Sequence, residues 1–171
     1  MAFWIFKCNP EKYRVADRLA DRNPNLTWTV SRYRDEIGPG DTIFIWETGR
    51  DRGIRAVLRA ESVPQDMPEL ESEQPYWAER ETEVQCRVLA TITDRDVNLS
   101  HTHLRSVPGL EDLSEFHGFQ QGTNFPVTPD EGVILLRLVG ERRALPRAAA
   151  DPGHGPRLLS SRSSVDRGRI R

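Results

Sequence analysis

Trp4, Trp28, Trp46 and Trp77 are the residues of this chain best suited to holding a flat ligand. An indole offers a broad face for stacking and fills a core equally well. Trp28 and Trp46 stand in polar company: Trp28 within Leu26-Thr27-Trp28-Thr29-Val30-Ser31-Arg32, and Trp46 just before Glu47-Thr48-Gly49. An aromatic face beside polar side chains and a glycine-bearing loop suits a heterocycle. Stacking one base on such a face contributes about 1–3 kcal/mol, and an extruded base is read by hydrogen bonds to its edge. Catalytic signatures are missing: the chain has no GxSxG, HExxH, Walker A or GxGxxG sequence. His101 and His103 flank Thr102 without a third ligand nearby, and Cys8 and Cys86 fall on strand patterns, where a free cysteine acts as a small apolar residue.

The elements that carry these residues alternate short strands with helices. Residues 2–7 are apolar on both faces, as a buried strand requires. Asn9-Pro10 then reads as a helix start, with a helix to about Arg22. Residues 26–30 form a short strand, and 32–37 one helical turn before Gly38-Pro39-Gly40-Asp41. Residues 42–48 and 53–63 read as a hairpin. The acidic, proline-bearing stretch 64–75 reads as an exposed loop, and 82–92 alternates as a strand. Short helical pieces are expected over 98–113 and a loop over 120–127. Thr128-Pro129-Asp130-Glu131 is a capping box, opening a helix to about Arg143. This order predicts an α+β domain with a mainly antiparallel sheet or open barrel.

Composition sets the outer bounds. With 171 residues and 37% hydrophobic content, one domain with an unstapled core is expected. Two cysteines exclude a disulfide framework, and a reduced, cytoplasmic setting follows as the expectation. The N-terminus lacks the pattern of a secretory signal, and no apolar run is long enough to span a membrane. The net charge of −2 conceals an asymmetry: residues 144–171 carry +4 and residues 1–143 carry −6. The segment 144–171 is basic, rich in Ala, Pro, Gly and Ser, free of aromatics, and expected to be disordered. The domain is therefore placed at 1–143 with a basic C-terminal tail. An acidic body is no nonspecific DNA coater, so nucleic-acid affinity would need a local basic rim, with Lys7, Arg32, Arg34, Arg50, Arg52 and Arg55 as its candidates.

Trp4-Ile5-Phe6-Lys7-Cys8-Asn9-Pro10 resembles the opening of EVE domains, members of the PUA-like superfamily related to YTH and ASCH domains. Trp28 through Tyr33, then Gly40-Asp41-Thr42-Ile43-Phe44-Ile45-Trp46-Glu47-Thr48-Gly49 with Gly53-Ile54, and Gln121-Gly122-Thr123-Asn124-Phe125-Pro126-Val127-Thr128 continue the resemblance in order over residues 2–140. It implies a PUA-like, open, mainly antiparallel β-barrel of about five to six strands with surrounding helices. It also implies a non-catalytic reader of a modified nucleobase, modified cytosine in DNA being the favoured ligand, with no cofactor and no metal. The implied partners are nucleic acid carrying such a base and a separately encoded restriction or modification enzyme.

Carried over by position, the resemblance makes Trp28 the stacking wall and Trp46 or Trp77 a second wall. It places Lys7 and Asn9 at a polar strand end, where Asn9 would read a base edge and Lys7 a phosphate. Ser31 and Arg32 would touch base or backbone, and Thr123 and Asn124 would close the pocket. Two other readings use the same cleft: an ASCH-like hydrolase of RNA or nucleotides, needing a poised Lys7 or Glu47, and a small-molecule sensor.

Overall fold

A computed structural model describes residues 1–117 and 122–144. The expected tail, from residue 145 on, lies outside the described residues. The strand path runs β2 (Asn25–Thr29), β6 (Gln85–Asp94), β4 (Gly53–Ala60), β3 (Thr42–Glu47), β1 (Phe3–Cys8), β8 (Asn124–Val127). Two short strands join its flank: β5 (Gln65–Met67) pairs with β6, and β7 (Leu99–Ser100) pairs with β4. Among the described residues only β1 and β3 run parallel, Phe3 opposite Thr42 and Phe6 opposite Ile45; the other strand pairings are antiparallel. This is an α+β architecture with an open sheet, as expected, and among the described residues it has eight strands once β5 and β7 are included.

The central strands are apolar on both faces because the sheet is covered on both. Trp4, Phe6 and Cys8 of β1 join Leu26, Trp28, Ile43, Ile45, Leu58, Val88 and Ala90 in an inner core. Phe3 and Ile5, on the alternate face, join Phe44, Trp46, Ile54 and Leu99 in an outer core. That face is closed by α2 (His101–Arg105) and α3 (Pro129–Ala144) with Leu104, Leu135 and Leu138. The capping box forms as read: Glu131 N donates to Thr128 Oγ1 (3.3 Å), and Thr128 N donates to Glu131 Oε2 (2.9 Å). Close packing explains Gly132, where a Cβ would lie 2.3 Å from ring carbons of Phe3.

Three expectations are corrected. The helix after Asn9 is limited to α1 (Val15–Ala20). Residues 9–13 instead form a turn, Lys12 N and Tyr13 N both donating to Asn9 O (3.0 Å), and Tyr13 then bridges Trp77, with Arg14 N donating to Tyr76 O (2.8 Å) and Ala78 N to Lys12 O (2.8 Å). The expected loop over 120–127 contains β8, whose Pro126 is tolerated because the strand ends the sheet. The acidic stretch 64–75 is no solvated loop, since it forms β5 and buries Glu69 and Glu73.

Candidate functional site

The open sheet must end somewhere, and the site lies at its seam. The edge strand β2 faces the C-terminal end of β1 and residue Thr123, and side chains bridge the two. Asn124 Oδ1 accepts from Ser31 N (3.0 Å), Arg32 N (3.0 Å) and Ser31 Oγ (3.2 Å), while Asn124 Nδ2 donates to Arg32 O. Thr123 N donates to Ser31 Oγ (2.9 Å), and Thr123 Oγ1 donates to Thr29 O (3.3 Å). Beside this stitch opens a cavity of about 900 Å³.

Its aromatic walls are Tyr13, Trp28, Trp46 and Trp77. Trp28 lines the cavity yet is only 9% exposed. It packs edge-on against Tyr13, with ring centroids 5.5 Å apart, so it is a wall of the inner core rather than a freely standing ring. Trp77 is half-buried and also meets Tyr13, with ring centroids 5.1 Å apart. Trp46 is 2% exposed and belongs to the outer core, where His101 and Phe116 meet it edge-on.

Polar groups come from both sides of the seam. Thr27, Thr29, Gln85 and Arg87 project from β2 and β6, and Glu69 from the segment after β5. Glu69 is the hub of this wall. Trp77 Nε1 donates to Glu69 Oε2 (3.0 Å), Arg87 Nη1 donates to the same oxygen (2.8 Å), and Thr27 Oγ1 donates to Oε1. Arg87 Nη1 also donates to Thr29 Oγ1 (2.9 Å). A parallel pair lies behind: Arg18 Nε donates to Glu73 (2.8 and 2.9 Å), and Tyr13 Oη donates to Glu73 Oε2 (2.6 Å). One buried carboxylate thus orients Trp77 and Arg87, and another orients Tyr13.

On the opposite side, Lys7 Nζ lies 3.4 Å from Glu115, which burial pushes up in pKa against the pull of Lys7. Asn9 is exposed at the rim, where its Oδ1 accepts from Glu11 N (2.9 Å), capping a turn and not a helix. Lys12 and Arg52 complete the exposed cationic lining, set against Glu81. Cys8 also touches the cavity, but burial, with Glu47 adding to it, pushes its thiol up to about 12, which favours the protonated thiol over the thiolate.

Of the sequence-predicted site residues, Lys7, Asn9, Trp28, Trp46, Trp77 and Thr123 converge on the cavity. Ser31, Arg32 and Asn124 do not line it; they form the stitch that closes the seam. Among the rim candidates Lys7 and Arg52 line it, whereas Arg55 turns to Glu47 (3.2 Å) and Asn98 (2.5 Å). Tyr13, Glu69, Arg87 and Glu115 were missed. A buried ion pair looks in sequence like two solvated charges, and the register that sets Arg87 opposite Thr29 is seen only in the structure. Among the described residues no cluster of His, Cys, Asp and Glu is arranged to hold a metal ion, His101 and His103 included.

The fold has relatives of known structure. A hypothetical protein from Leishmania major superposes with a TM-score of 0.61 at 17% identity, covering 84% of this chain and 97% of that one. A Pseudomonas putida protein gives 0.59 at 18% identity, covering 81% and 99%. Human THYN1, solved in complex with DNA containing 5-methylcytosine, gives 0.53 at 15% identity, covering 81% and 98%. No curated protein sequence matches the chain significantly. The profile of the EVE domain matches residues 2–138, so the chain belongs to the EVE domain family.

Proposed function

We propose that the chain is a non-catalytic binding module that recognises a modified nucleobase, modified cytosine in DNA being the favoured ligand, after the base is flipped into the seam cavity. The observation that carries this reading is the cavity itself: about 900 Å³, walled by Trp28 and Trp77 and lined by polar groups from both sheet edges. Ligand cavities typically span about 300–1,000 Å³. The likeness of fold to human THYN1, solved with DNA containing 5-methylcytosine, supports the same reading. Trp28 and Trp77 stack on the base. Lys12 and Arg52 at the mouth meet phosphates, Asn9 and Lys7 flank the entry, and Thr123 borders it from the other sheet edge. Trp46 supports the wall from the outer core. Ser31, Arg32 and Asn124 act through the closed seam.

The hydrolase reading fits less well because its candidate groups are engaged: Lys7 faces Glu115, and Glu47 is held by Arg55. Residues 1–143 form the binding domain in this proposal. The basic segment 144–171 adds positive charge for DNA, a restriction or modification enzyme is the protein partner, and the setting is cytoplasmic. No helix among the described residues is long and apolar enough to cross a membrane.

Fluorescence anisotropy with duplexes that differ by one 5-methylcytosine tests the proposal. The methylated duplex binds more tightly, and Trp77→Ala weakens it by about 1–3 kcal/mol. Trp77 is the cleaner position, because Trp28→Ala also removes a core side chain worth about 3–5 kcal/mol of stability. Equal affinity for the two duplexes would count against a reader.

A further inference from the structure

The cations of the seam cavity divide into two sets. Arg87 and Lys7 are each committed to a carboxylate of the wall, Arg87 to Glu69 at 2.8 Å and Lys7 to Glu115 at 3.4 Å. Lys12 and Arg52 also line the cavity, but they are exposed and form no ion pair among the described residues. Glu81, the remaining carboxylate of the lining, has both oxygens engaged by its own segment: Oε1 accepts from Glu83 N (3.1 Å) and Oε2 from Gln85 Nε2 (3.3 Å). With the two inner pairs neutral, the lining keeps two cations against one carboxylate, an excess that suits a single anionic group.

The chain sets this excess beside the aromatic walls. Lys12 immediately precedes Tyr13, which bridges Trp77, and its carbonyl accepts from Ala78 N (2.8 Å). Arg52 ends the loop between β3 and β4. Thr48 N and Oγ1, at the start of that loop, both donate to Cys8 O (2.8 and 3.1 Å), and a Cβ on Gly49 would lie 3.9 Å from Pro10 Cγ. The loop bearing Arg52 thus rests on the turn bearing Lys12. A stacking face with two neighbouring cations is the recognition set for a flat ring that carries a phosphate. The size agrees: about 900 Å³ lies near the top of the range for cavities that take whole small ligands, more room than a lone pyrimidine fills.

Beyond one phosphate the domain offers little to a polymer. Arg32, Arg34, Arg50 and Arg55 do not line the cavity, and residues 1–143 carry −6, so further phosphates gain less there than the first. We infer that the unit the cavity binds is one whole nucleotide, its base against Trp77 and its phosphate on Lys12 and Arg52, so that a free nucleoside monophosphate occupies the cavity without a strand. This rests on the base-reader function proposed above and adds to it the class of ligand: an aromatic ring with one phosphate, met free or within a nucleic acid.

Displacement of a labelled single strand carrying one 5-methylcytosine provides the test. The competitors are 5-methyldeoxycytidine, its 5′- and 3′-monophosphates, and inorganic phosphate. At least one monophosphate displaces the strand at a concentration about tenfold or more below that of the nucleoside, the gain of a charge-assisted contact. Inorganic phosphate at the same concentration does not. Replacing both cations, Lys12→Gln with Arg52→Gln, brings nucleotide and nucleoside within about threefold of each other. Both side chains are exposed, and unchanged nucleoside affinity reports that the double variant is folded. Monophosphates no better than the nucleoside, a gap that survives the double variant, or equal displacement by inorganic phosphate overturns the nucleotide site and leaves the reader standing. Failure of the labelled strand to bind overturns both.

Discussion

The side-chain oxygen of Asn124 accepts a hydrogen bond at 3.0 Å from the backbone N–H of Ser31, 93 residues earlier. It is the stitch across a sheet that does not close by strand pairing. Asn124 sits in β8, at one end of the strand order, and Ser31 just follows β2, at the other. An amide suits this position because it accepts and donates at once, and Arg32 uses both functions through its N–H and its carbonyl.

Asn124→Ala removes a fully buried side chain and leaves the Ser31 and Arg32 amides without their acceptor. A loss of about 2–4 kcal/mol is expected. Urea denaturation reads the loss, and native-state hydrogen exchange locates it: the Ser31 and Arg32 amides exchange faster, while those in the centre of β3 keep their protection. Unchanged exchange at both amides would show that the stitch does not hold the seam.

Glu69→Gln keeps the shape of the hub but leaves the Arg87 charge buried without its counter-ion. Breaking one side of a buried pair costs about 3–5 kcal/mol. The control is Glu71→Gln, two residues away, whose pair with Arg80 is largely exposed. An exposed pair contributes at most about 1 kcal/mol. Chemical denaturation of the two variants side by side should rank them in that order, and similar losses would mean that Glu69 is not the hub.

Much of the frame is legible locally in the sequence. The Thr128–Glu131 capping box, the alternation of β6 and the two-faced apolar run of β1 each declare an element from its own residues. What escapes is whatever a distant partner decides. Asn9-Pro10 carries the residue types of a helix start, yet residues 12–14 pair with 76–78 and delay the helix to Val15. The candidate site divides in the same way. Trp28 and Trp77 are conspicuous by type. Glu69 and Glu73 sit in an acidic run whose reading as solvent-facing is overturned only by Arg87 and Arg18 coming from β6 and α1. Asn124 and Ser31 belong to matched motifs, but their partnership spans 93 residues of chain.

His101 gives the fold an acid sensitivity. Burial, and then the positive charges of Arg52 and Arg105, hold its imidazole below the ordinary 6.5. The folded chain therefore binds this proton more weakly than the unfolded chain. The stabilisation is complete above about pH 6.5 and is lost as pH falls from there through the lower folded value. His101→Gln flattens that part of the stability profile. Urea midpoints for both proteins between pH 8 and pH 5 provide the check, and parallel profiles would remove His101 as the cause.

The central claim is that a single base enters the seam cavity and stacks there. Its most direct measurement compares, at one salt concentration, binding of an oligonucleotide carrying 5-methylcytosine with binding of the same strand carrying an abasic site at that position. The phosphates are identical, so electrostatic attraction cancels and only occupancy of the cavity differs. The account expects the abasic strand to bind at least about tenfold more weakly, in line with loss of one stacked base. Equal affinity for the two strands would mean that the cavity takes no base, and would contradict it.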